Sequence, residues 1–265
     1  MIDPATVCLF IPAGLKKFKL DLFERIGRKI EAAGGKIIRH DEGLLDQLPN
    51  EIIPIVGCQP ESTRLIKRWR VNGRKWIYWD RGYCRRVFAT WLPRGADGGM
   101  YRWHVGSFQL QQLRDVPADR WAATRTDVLP WQRNGKHIVI AAPTRTYARF
   151  HETRDWIADT IDALARVTDR QLVIRDKESK RPLQADLLGA HCLVTHGSIA
   201  AVEAVILGCP VFVCNDSAAA IVGQTDLSKI EGPVYPDRMQ WLNNLAYSQW
   251  NETELTDGTL WAMLS

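Results

Sequence analysis

Apolar positions along the chain fall into two kinds of pattern, short continuous runs and longer stretches with helical spacing. Short runs of this kind indicate strands buried on both faces of a sheet, and apolar residues three and four apart indicate amphipathic helices. The runs predict strands at 6–12, 36–40, 51–58, 75–80, 137–143, 171–177, 191–195 and, after a Gly-Cys-Pro turn, near 211–214. The helical spacing predicts helices near 17–34, 60–72, 153–167, 198–207 and 238–250.

Strands alternate with helices in both halves of the chain, which is typical of an α/β fold with parallel sheets. A chain of 265 residues with 46% hydrophobic content is long enough for two compact domains. The halves are separated by a less regular, Trp- and Arg-rich segment at 81–131, which ends before an Asn134-Gly135 turn. We therefore expect two doubly wound, Rossmann-like domains, an N-terminal one at 1–133 and a C-terminal one at 134–237, followed by a helical segment at 238–265.

The 238–265 segment contains Trp241, Trp250 and Trp261, and it either crosses back to the first domain or packs on its own domain. No apolar run reaches the roughly 18 to 20 residues that a membrane span needs, and the amino terminus lacks a basic region before its short apolar stretch. We expect a cytoplasmic protein without membrane association. The six cysteines form no C-x-x-C pair, which agrees with a reducing compartment.

The most informative stretch runs from His191 to Cys214. The predicted strand at 191–195 leads into Gly197-Ser198, at the carboxyl end of a strand, where parallel sheets bind ligands. We expect Ser198 to cap the next helix, whose free N–H groups and dipole favour a phosphate. Glu203 is the only ionisable side chain of that helix, and burying a carboxylate is costly unless it is hydrogen-bonded. The alternative is an ordinary strand, turn and helix whose Glu203 reaches solvent.

This arrangement, with Gly208-Cys209-Pro210 after the helix, resembles the donor-binding half of GT-B glycosyltransferases. In that family a Gly-Ser or Gly-Thr turn meets the donor diphosphate and a helical Glu holds both ribose hydroxyls. The resemblance implies two domains facing a cleft, with the acceptor mainly on the first and the nucleotide on the second. It implies a donor-binding turn made of His196, Gly197, Ser198 and Ile199, with Glu203 on the ribose.

Two phosphates also need cations, and the loop after the 137–143 strand offers Thr144, Arg145 and Arg149. Arginine grips phosphate oxygens bidentately, and a spacing of four residues puts both side chains on one side of a helix. Lys177 is a further candidate, in the place where GT-B enzymes often hold the base and ribose. A solvated basic loop is the alternative.

Other phosphate and metal signatures are absent from the sequence, which has no G-x-x-x-x-G-K, G-x-G-x-x-G, H-E-x-x-H or D-x-D motif. The D-x-D motif supplies the metal ligand in the other large glycosyltransferase class. We therefore predict no metal ligands and no required cofactor besides the nucleotide-sugar co-substrate, although a divalent metal that helps product leave stays open.

Glycosyl transfer with inversion requires a base that deprotonates the acceptor hydroxyl. Asp80 ends the strand at 75–80 and is our first candidate, because the following Arg81-Gly82-Tyr83 turn could present both the carboxylate and a ring. His104 is the second, since the unperturbed pKa of histidine lies near neutrality. The alternatives are that Asp80 pairs with a neighbouring Arg and that His104 is merely half buried.

The charge is concentrated between residues 61 and 103, where eleven basic and three acidic residues give +8, against +5 for the whole chain. Tyr83, Trp91, Tyr101 and Trp103 lie among these basic residues, a combination that suits phosphate contacts and stacking on a base. A solvated charged face is the alternative. The predicted acceptor or DNA-binding residues are Gly14, Arg81, Tyr83, Arg85, Arg86, Tyr101 and Arg102.

A second resemblance rests on the D-x-G-Y turn at 80–83, on Tyr101-Arg102, on T-H-G-S-x-A-A-V-E-A at 195–204 and on the stretch at 224–250. Together these are similar to a group of phage-encoded GT-B-like proteins, and phage DNA glucosyltransferases of this fold move glucose from UDP-glucose onto 5-hydroxymethylcytosine. Carried over, the resemblance implies Asp80 as the base, Arg145 and Arg149 on the diphosphate, and a target nucleotide rotated out of the DNA stack.

These resemblances lead us to expect a GT-B glycosyltransferase that moves glucose from UDP-glucose to a hydroxymethylated pyrimidine in DNA. Three rival functions stay open at this point. They are a transferase that builds a surface polysaccharide, a GT-B-like nucleotide-sugar epimerase, and a non-catalytic DNA-binding protein of the same fold.

Overall fold

The computed structural model describes residues 2–59, 62–83, 99–176 and 178–264. Arg85, Arg86, Trp91 and Lys177, which the sequence analysis singled out, lie outside the described residues. The chain forms two compact units, one made of Met1–Phe108 with Tyr247–Ser265 and one made of Gln109–Ala246.

The first part of the chain contains β1 (Val7–Ile11), α1 (Lys17–Ala32), β2 (Lys36–Arg39), β3 (Ile53–Val56), α2 (Ser62–Val71), β4 (Ile77–Arg81) and β5 (Tyr101–Val105). The second unit contains α3 (Asp119–Ala122), β6 (His137–Ala141), α4 (Arg145–His151), α5 (Trp156–Leu164), β7 (Gln171–Arg175), α6 (Leu183–Leu187), β8 (Ala190–Val194), α7 (Ala200–Ile206), β9 (Val211–Phe212) and α8 (Met239–Ala246). The chain ends with β10 (Gln249–Trp250), α9 (Glu252–Thr256) and α10 (Thr259–Met263).

The sheet of the first unit has the order β10-β5-β4-β3-β1-β2. Strands β1 to β4 are parallel, whereas β5 runs antiparallel to β4 and β10 antiparallel to β5. The predicted parallel sheet is confirmed for β1 to β4, and β5 and β10 extend it with two antiparallel strands. Strand β5 lies inside the segment that sequence reasoning treated as irregular, and it pairs with β4 over five residues, which places Arg102 opposite Asp80.

The core of the first unit lies between its sheet and the apolar stripe of α1. Leu22, Phe23, Ile26 and Ile30 of that helix recur at helical spacing and are fully buried. The C-terminal segment joins the same core, since Trp250, Leu255 and Leu260 belong to it and the ring of Trp261 lies edge-on to Trp103 at 6.1 Å. The predicted segment at 238–265 is thus divided, with α8 in the second unit and the residues after 246 in the first.

The sheet of the second unit has the order β7-β6-β8-β9, and all of its strands are parallel. The chain passes from β6 to β7 on one side and then to β8 on the other side of β6. The carboxyl ends of β6 and β8 therefore form a topological switch point, the place where open α/β sheets bind ligands.

The second unit begins at Gln109, about 25 residues before the predicted boundary at 133/134. The reason is a set of hydrogen bonds that tie 109–133 to later parts of this unit. The N–H of Leu129 donates to the carbonyl of Ile206 at 2.9 Å, and that of Gln132 donates to Gly208 at 2.7 Å. The N–H of Arg114 donates to Oδ1 of Asn244 at 2.9 Å. These contacts are long-range in sequence, so local patterning did not indicate them.

The five described cysteines, Cys8, Cys58, Cys192, Cys209 and Cys214, are free thiols. None of the helices in the described ranges combines the length and the apolar character that crossing a bilayer requires.

Candidate functional site

At the switch point of the second sheet, a buried threonine joins the carboxyl ends of β6 and β8. Thr195, directly after β8, donates from Oγ1 to the carbonyl of Ala141 at 2.8 Å, and Ala141 is the last residue of β6. This bond fixes the two strand ends against each other. The bond therefore fixes the points from which two segments leave the sheet. One segment leads from β6 to Thr144, and the other is the turn at 196–198 after β8.

The backbone of the turn at 196–198 is held by hydrogen bonds from two distant residues, Cys214 and Gln109. The N–H of Cys214 donates to the carbonyl of His196 at 2.8 Å. Gln109 donates from Nε2 to the carbonyl of Gly197 at 2.8 Å, while its Oε1 accepts from the N–H of Ala218 at 2.9 Å. Gln109 is itself buried. The turn is thus preorganised, which a binding site needs if its groups are to meet a ligand without further ordering.

Tyr147 on α4 packs directly against this turn. Thr144 caps α4, accepting at Oγ1 from the N–H of Tyr147 at 3.2 Å, and the hydroxyl of Tyr147 lies 3.0 Å from Nδ1 of His196. A Cβ atom at position 197 would clash with that same hydroxyl. Glycine is therefore required at 197 as long as Tyr147 occupies this position.

His196 is surrounded by aromatic rings. The Tyr147 ring stacks on His151 with a centroid distance of 4.1 Å, and Trp156 lies edge-on to His196 at 6.2 Å. Burial lowers the pKa of His196, and the negative charge of Asp216 opposes that shift. The imidazole is therefore favoured in its neutral form, which has one N–H donor and one acceptor nitrogen.

Ser198, which was predicted to cap the next helix, does not occupy the capping position but lies one residue before it. Ile199 occupies the capping position with helical dihedrals, φ −58° and ψ −18°, and α7 proper begins at Ala200. The Oγ of Ser198 still accepts from the N–H of Ala200, at 3.2 Å. Glu203 is buried in the first turn of α7 with 9% exposure, so the alternative in which it reaches solvent does not hold.

The predicted arginine pair does not converge on the turn. Arg145 and Arg149 are exposed on one side of α4, as their spacing predicted, but Tyr147 and His151 are the residues of α4 that face His196. Residues two positions apart on a helix are separated by about 200° around its axis. The two arginines therefore lie on the side of α4 opposite to Tyr147 and His151. Arg149 instead lines a pocket of about 630 Å³ together with Glu152, Thr153, Arg154, Asp155, Trp156 and Asp159.

In the first unit, Asp80 forms an ion pair with a buried arginine. Its Oδ2 accepts from Nη2 of Arg102 at 2.9 Å, and its Oδ1 accepts from the N–H of Arg81 at 2.7 Å. The Asp80 side chain is 36% exposed, whereas that of Arg102 is 6% exposed. The alternative in which Asp80 pairs with an arginine is therefore the arrangement that the structure has. The carboxylate nevertheless keeps an accessible side.

Four of the residues that were predicted to bind the acceptor or to act in catalysis are buried in the interior of the first unit. Tyr83, Tyr101, Arg102 and His104 are all buried, so their side chains do not offer a surface to an acceptor. The hydroxyl of Tyr83 lies 2.6 Å from Nε2 of His104, and the N–H of Tyr83 donates to Oε1 of Gln249 at 2.8 Å. The polar groups of the turn at 81–83 are thus engaged in holding β4, β5 and β10 together.

Gly14 and Arg81 are the other described acceptor candidates. Gly14 is exposed after β1 and has φ +73°, a backbone conformation that favours glycine. Arg81 lies over the ring of Tyr101 at 4.9 Å and donates from Nη1 to its hydroxyl at 3.2 Å.

Four basic residues lie on the exposed side of α2, namely Arg64, Lys67, Arg68 and Arg70. Arg68 pairs with Asp46. We call these four side chains the basic face of α2.

Sequence reasoning missed two residues that build the turn. Tyr147 lies between the two arginines that drew attention for their charge, and its helical offset from them is the signal that could have identified it. Gln109 carries no local signal, because its partners are about 90 and 110 residues away.

The fold has known counterparts. No protein-family model matches the chain, and no curated protein matches it. A solved structure of Thermosulfurimonas dismutans KpsC, beta Kdo 2,7 transferase, superimposes with a TM-score of 0.56 and 11% identity, over 95% of this chain and 98% of that chain. KpsC is a Kdo glycosyltransferase of GT-B type. The chain has the GT-B fold. A second KpsC structure, beta Kdo 2,4 transferase, superimposes with a TM-score of 0.49 and 10% identity, over 96% of this chain and 97% of that chain.

Proposed function

We propose that the protein is a glycosyltransferase that uses a nucleotide-sugar donor, bound at the switch point of the second sheet. The observation that carries this proposal is the preorganised turn at 196–198, fixed by Thr195, Gln109 and Cys214 at the carboxyl ends of β6 and β8. Ligands bind at this position in open α/β sheets. The GT-B fold of the whole chain supports the same conclusion.

Within this proposal, the donor phosphates contact Ser198 and the N–H groups of the turn, and Glu203 accepts hydrogen bonds from the ribose. The position of Glu203 in the first turn of α7, shortly after the turn at 196–198, supports this contact. Asp80 is the proposed base of an inverting reaction, and its exposed side is the part that an acceptor hydroxyl could approach.

For the acceptor, our first candidate is 5-hydroxymethylcytosine in DNA, with UDP-glucose as donor. The exposed basic face of α2 supports a polyanionic acceptor, because side chains of this kind neutralise backbone phosphates. The sequence resemblance to phage DNA glucosyltransferases supports the specific base.

A second candidate is an acidic surface glycan, and the likeness to KpsC favours it, since that protein transfers Kdo. Kdo carries a carboxylate, so a glycan that contains it is also polyanionic and would suit the same basic face.

Four reactions decide between these possibilities. The protein is incubated with UDP-glucose or with CMP-Kdo, each with hydroxymethylated DNA or with a Kdo-terminated oligosaccharide, and the products are analysed by mass spectrometry. Unmodified DNA is the matched control acceptor. A hexose on the modified base supports the first candidate, and a Kdo added to the oligosaccharide supports the second. Release of an altered sugar without an acceptor indicates an epimerase, while salt-sensitive DNA binding without sugar chemistry indicates a binding protein, and either result overturns the proposal.

A further inference from the structure

Tyr147 and His196 form a contact that neither the sequence motif nor the fold accounts for. The Tyr147 hydroxyl lies 3.0 Å from Nδ1 of His196. Tyr147 is itself fixed, because it lies in the first turn of a capped helix and its ring stacks on His151. The hydroxyl also occupies the space above Gly197, which leaves no room for a side chain there.

The backbone of His196 is fixed as well, through its carbonyl and the N–H of Cys214. Two properties of His196 are not set by this backbone bond. They are the orientation of its imidazole ring and the choice of ring nitrogen that carries the hydrogen. A hydrogen bond to one ring nitrogen decides which nitrogen that is. The Tyr147 hydroxyl is a strong donor and an unprotonated imidazole nitrogen is a good acceptor, so donation from Tyr147 to Nδ1 leaves the hydrogen on Nε2.

The other nitrogen, Nε2, has no hydrogen-bond partner among the residues that the structure describes. His196 directly precedes Gly197-Ser198, where the proposed function locates the donor phosphates. An N–H group at this place can donate to an anionic oxygen in a partly buried setting, where such bonds are stronger than in water.

We propose that Tyr147 is a positioning residue of the donor site. It donates its hydroxyl hydrogen to Nδ1 of His196, and the Nε2–H group of the same ring donates to an anionic oxygen of the nucleotide sugar. This inference rests on the proposed function, and it adds to it a ligand contact and the residue that sets its geometry. Because the contact exists in the bound ground state as well as in the transition state, its loss raises the KM for the donor more than it lowers kcat.

The test uses Y147F, which keeps the ring and its stacking on His151 but removes the hydroxyl. Tyr235 lies elsewhere in the same unit, partly exposed beside Trp131, and Y235F is the matched control. We expect a roughly three- to tenfold higher donor KM in Y147F, with kcat nearly unchanged, and wild-type values in Y235F. In an H196N background, Y147F should have no further effect on KM.

A second readout does not depend on turnover. Nitrogen-15 NMR of the imidazoles in the full chain without ligand should show His196 with its hydrogen on Nε2, and this preference should weaken in Y147F but not in Y235F. An Nδ1–H tautomer in the wild type would overturn the proposal, as would an unchanged donor KM in Y147F when H196N raises it. If no donor is turned over at all, the proposed function fails, while the tautomer measurement still decides whether Tyr147 sets the state of His196.

Discussion

Asp80 and Arg102 lie directly opposite each other on β4 and β5, and Nη2 of Arg102 donates to Oδ2 of Asp80 at 2.9 Å. The guanidinium is almost completely removed from water, whereas the carboxylate is partly exposed. Removing a charge from water is costly unless an opposite charge compensates for it. Asp80 is therefore the counterion of a buried arginine in addition to being the proposed base.

The first prediction is that D80N affects stability as well as activity. The substitution leaves Arg102 without its carboxylate, and we expect the free energy of unfolding to fall by about 2 kcal/mol, below the 3 to 5 typical of fully buried pairs because Asp80 is partly exposed. Urea denaturation measures this loss. D21N, on the exposed side of α1, is the matched control and should stay within about 0.5 kcal/mol of the wild type.

The same D80N protein should lose transfer activity while binding the nucleotide donor normally, since the base acts on the acceptor. Both measurements are made at a temperature well below the unfolding midpoint of the variant, so that the loss of stability does not lower activity by itself. Transfer at a near wild-type rate would reject Asp80 as the base.

The second prediction concerns the space above Gly197. In G197A the new Cβ clashes with the Tyr147 hydroxyl, and Tyr147 cannot move without losing its bond to His196 and its stacking on His151. We expect a destabilisation of about 1 to 3 kcal/mol. The double variant G197A/Y147F should be less destabilised than the sum of the two single variants, because the clashing oxygen is absent.

Gly232 provides the control for this series. The nearest atom to an added Cβ at that position is 3.9 Å away, so G232A should leave the unfolding midpoint nearly unchanged. Additivity of G197A and Y147F in a double-mutant cycle would contradict the packing described for the turn.

The third prediction concerns Glu203. We expect E203A to weaken binding of the nucleotide about tenfold or more, because a buried carboxylate that accepts from two ribose hydroxyls makes charge-assisted hydrogen bonds. Calorimetric titration with UDP and with CMP measures the change, and thermal unfolding checks that α7 is intact. Unchanged affinity in a folded variant would exclude the ribose contact.

The fourth prediction concerns the basic face of α2. If it contacts a polyanionic acceptor, then R64Q and K67Q should each weaken binding to DNA and reduce the slope of log K against log salt by about 0.9 per neutralised phosphate contact. R28Q, on the exposed side of α1, is the matched control. Equal effects of all three substitutions would indicate a general charge effect instead of a binding face.

Strands β1 to β4 and β6 to β9 could be predicted from the sequence, as could α1, α2, α5, α7 and α8, because they depend on local hydrophobic spacing. Strand β5 was not predicted, and β10 lies inside the stretch at 238–250 that was predicted to be helical. Strand β8, the turn and α7 follow one another within 17 residues, from Ala190 to Ile206, so their order could be predicted from local patterning. The role of the turn in donor binding stays a prediction. The return of Trp250 and Trp261 to the first unit was one of two open alternatives, since a tryptophan is equally suited to either core.

Long-range pairing explains what could not be predicted. The contact of Gln109 with Gly197, the opposition of Asp80 and Arg102, and the join of 109–133 to the second unit all bring together residues that are distant in sequence. The arginine pair of α4 was a different error. Its charge and spacing were correctly identified, but the direction of that helix face depends on where Tyr147 packs.

The last prediction follows from the lowered pKa of His196. Burial disfavours the imidazolium form of His196. The folded protein therefore protonates this ring at a lower pH than the unfolded chain, in which the pKa of the imidazole has its ordinary value of 6.5. As the pH falls from 6.5 towards the lower folded pKa, the unfolded state binds more protons and the stability decreases; above 6.5 this contribution is absent. Among the described residues packed around the ring, Tyr147, His151 and Asp216 are ionisable, and Asp216 reduces the shift.

H196N removes this titration, so the difference between its urea midpoints at about pH 7.5 and about pH 5 should be smaller than in the wild type. H40N is the matched control, because it removes an exposed imidazole at a position with φ 63°, and asparagine tolerates that left-handed conformation. The difference between the two midpoints should be larger in H40N than in H196N. If H196N kept the wild-type difference, the stability would not be linked to His196, and the imidazole would be protonated as readily in the folded chain as in the unfolded one.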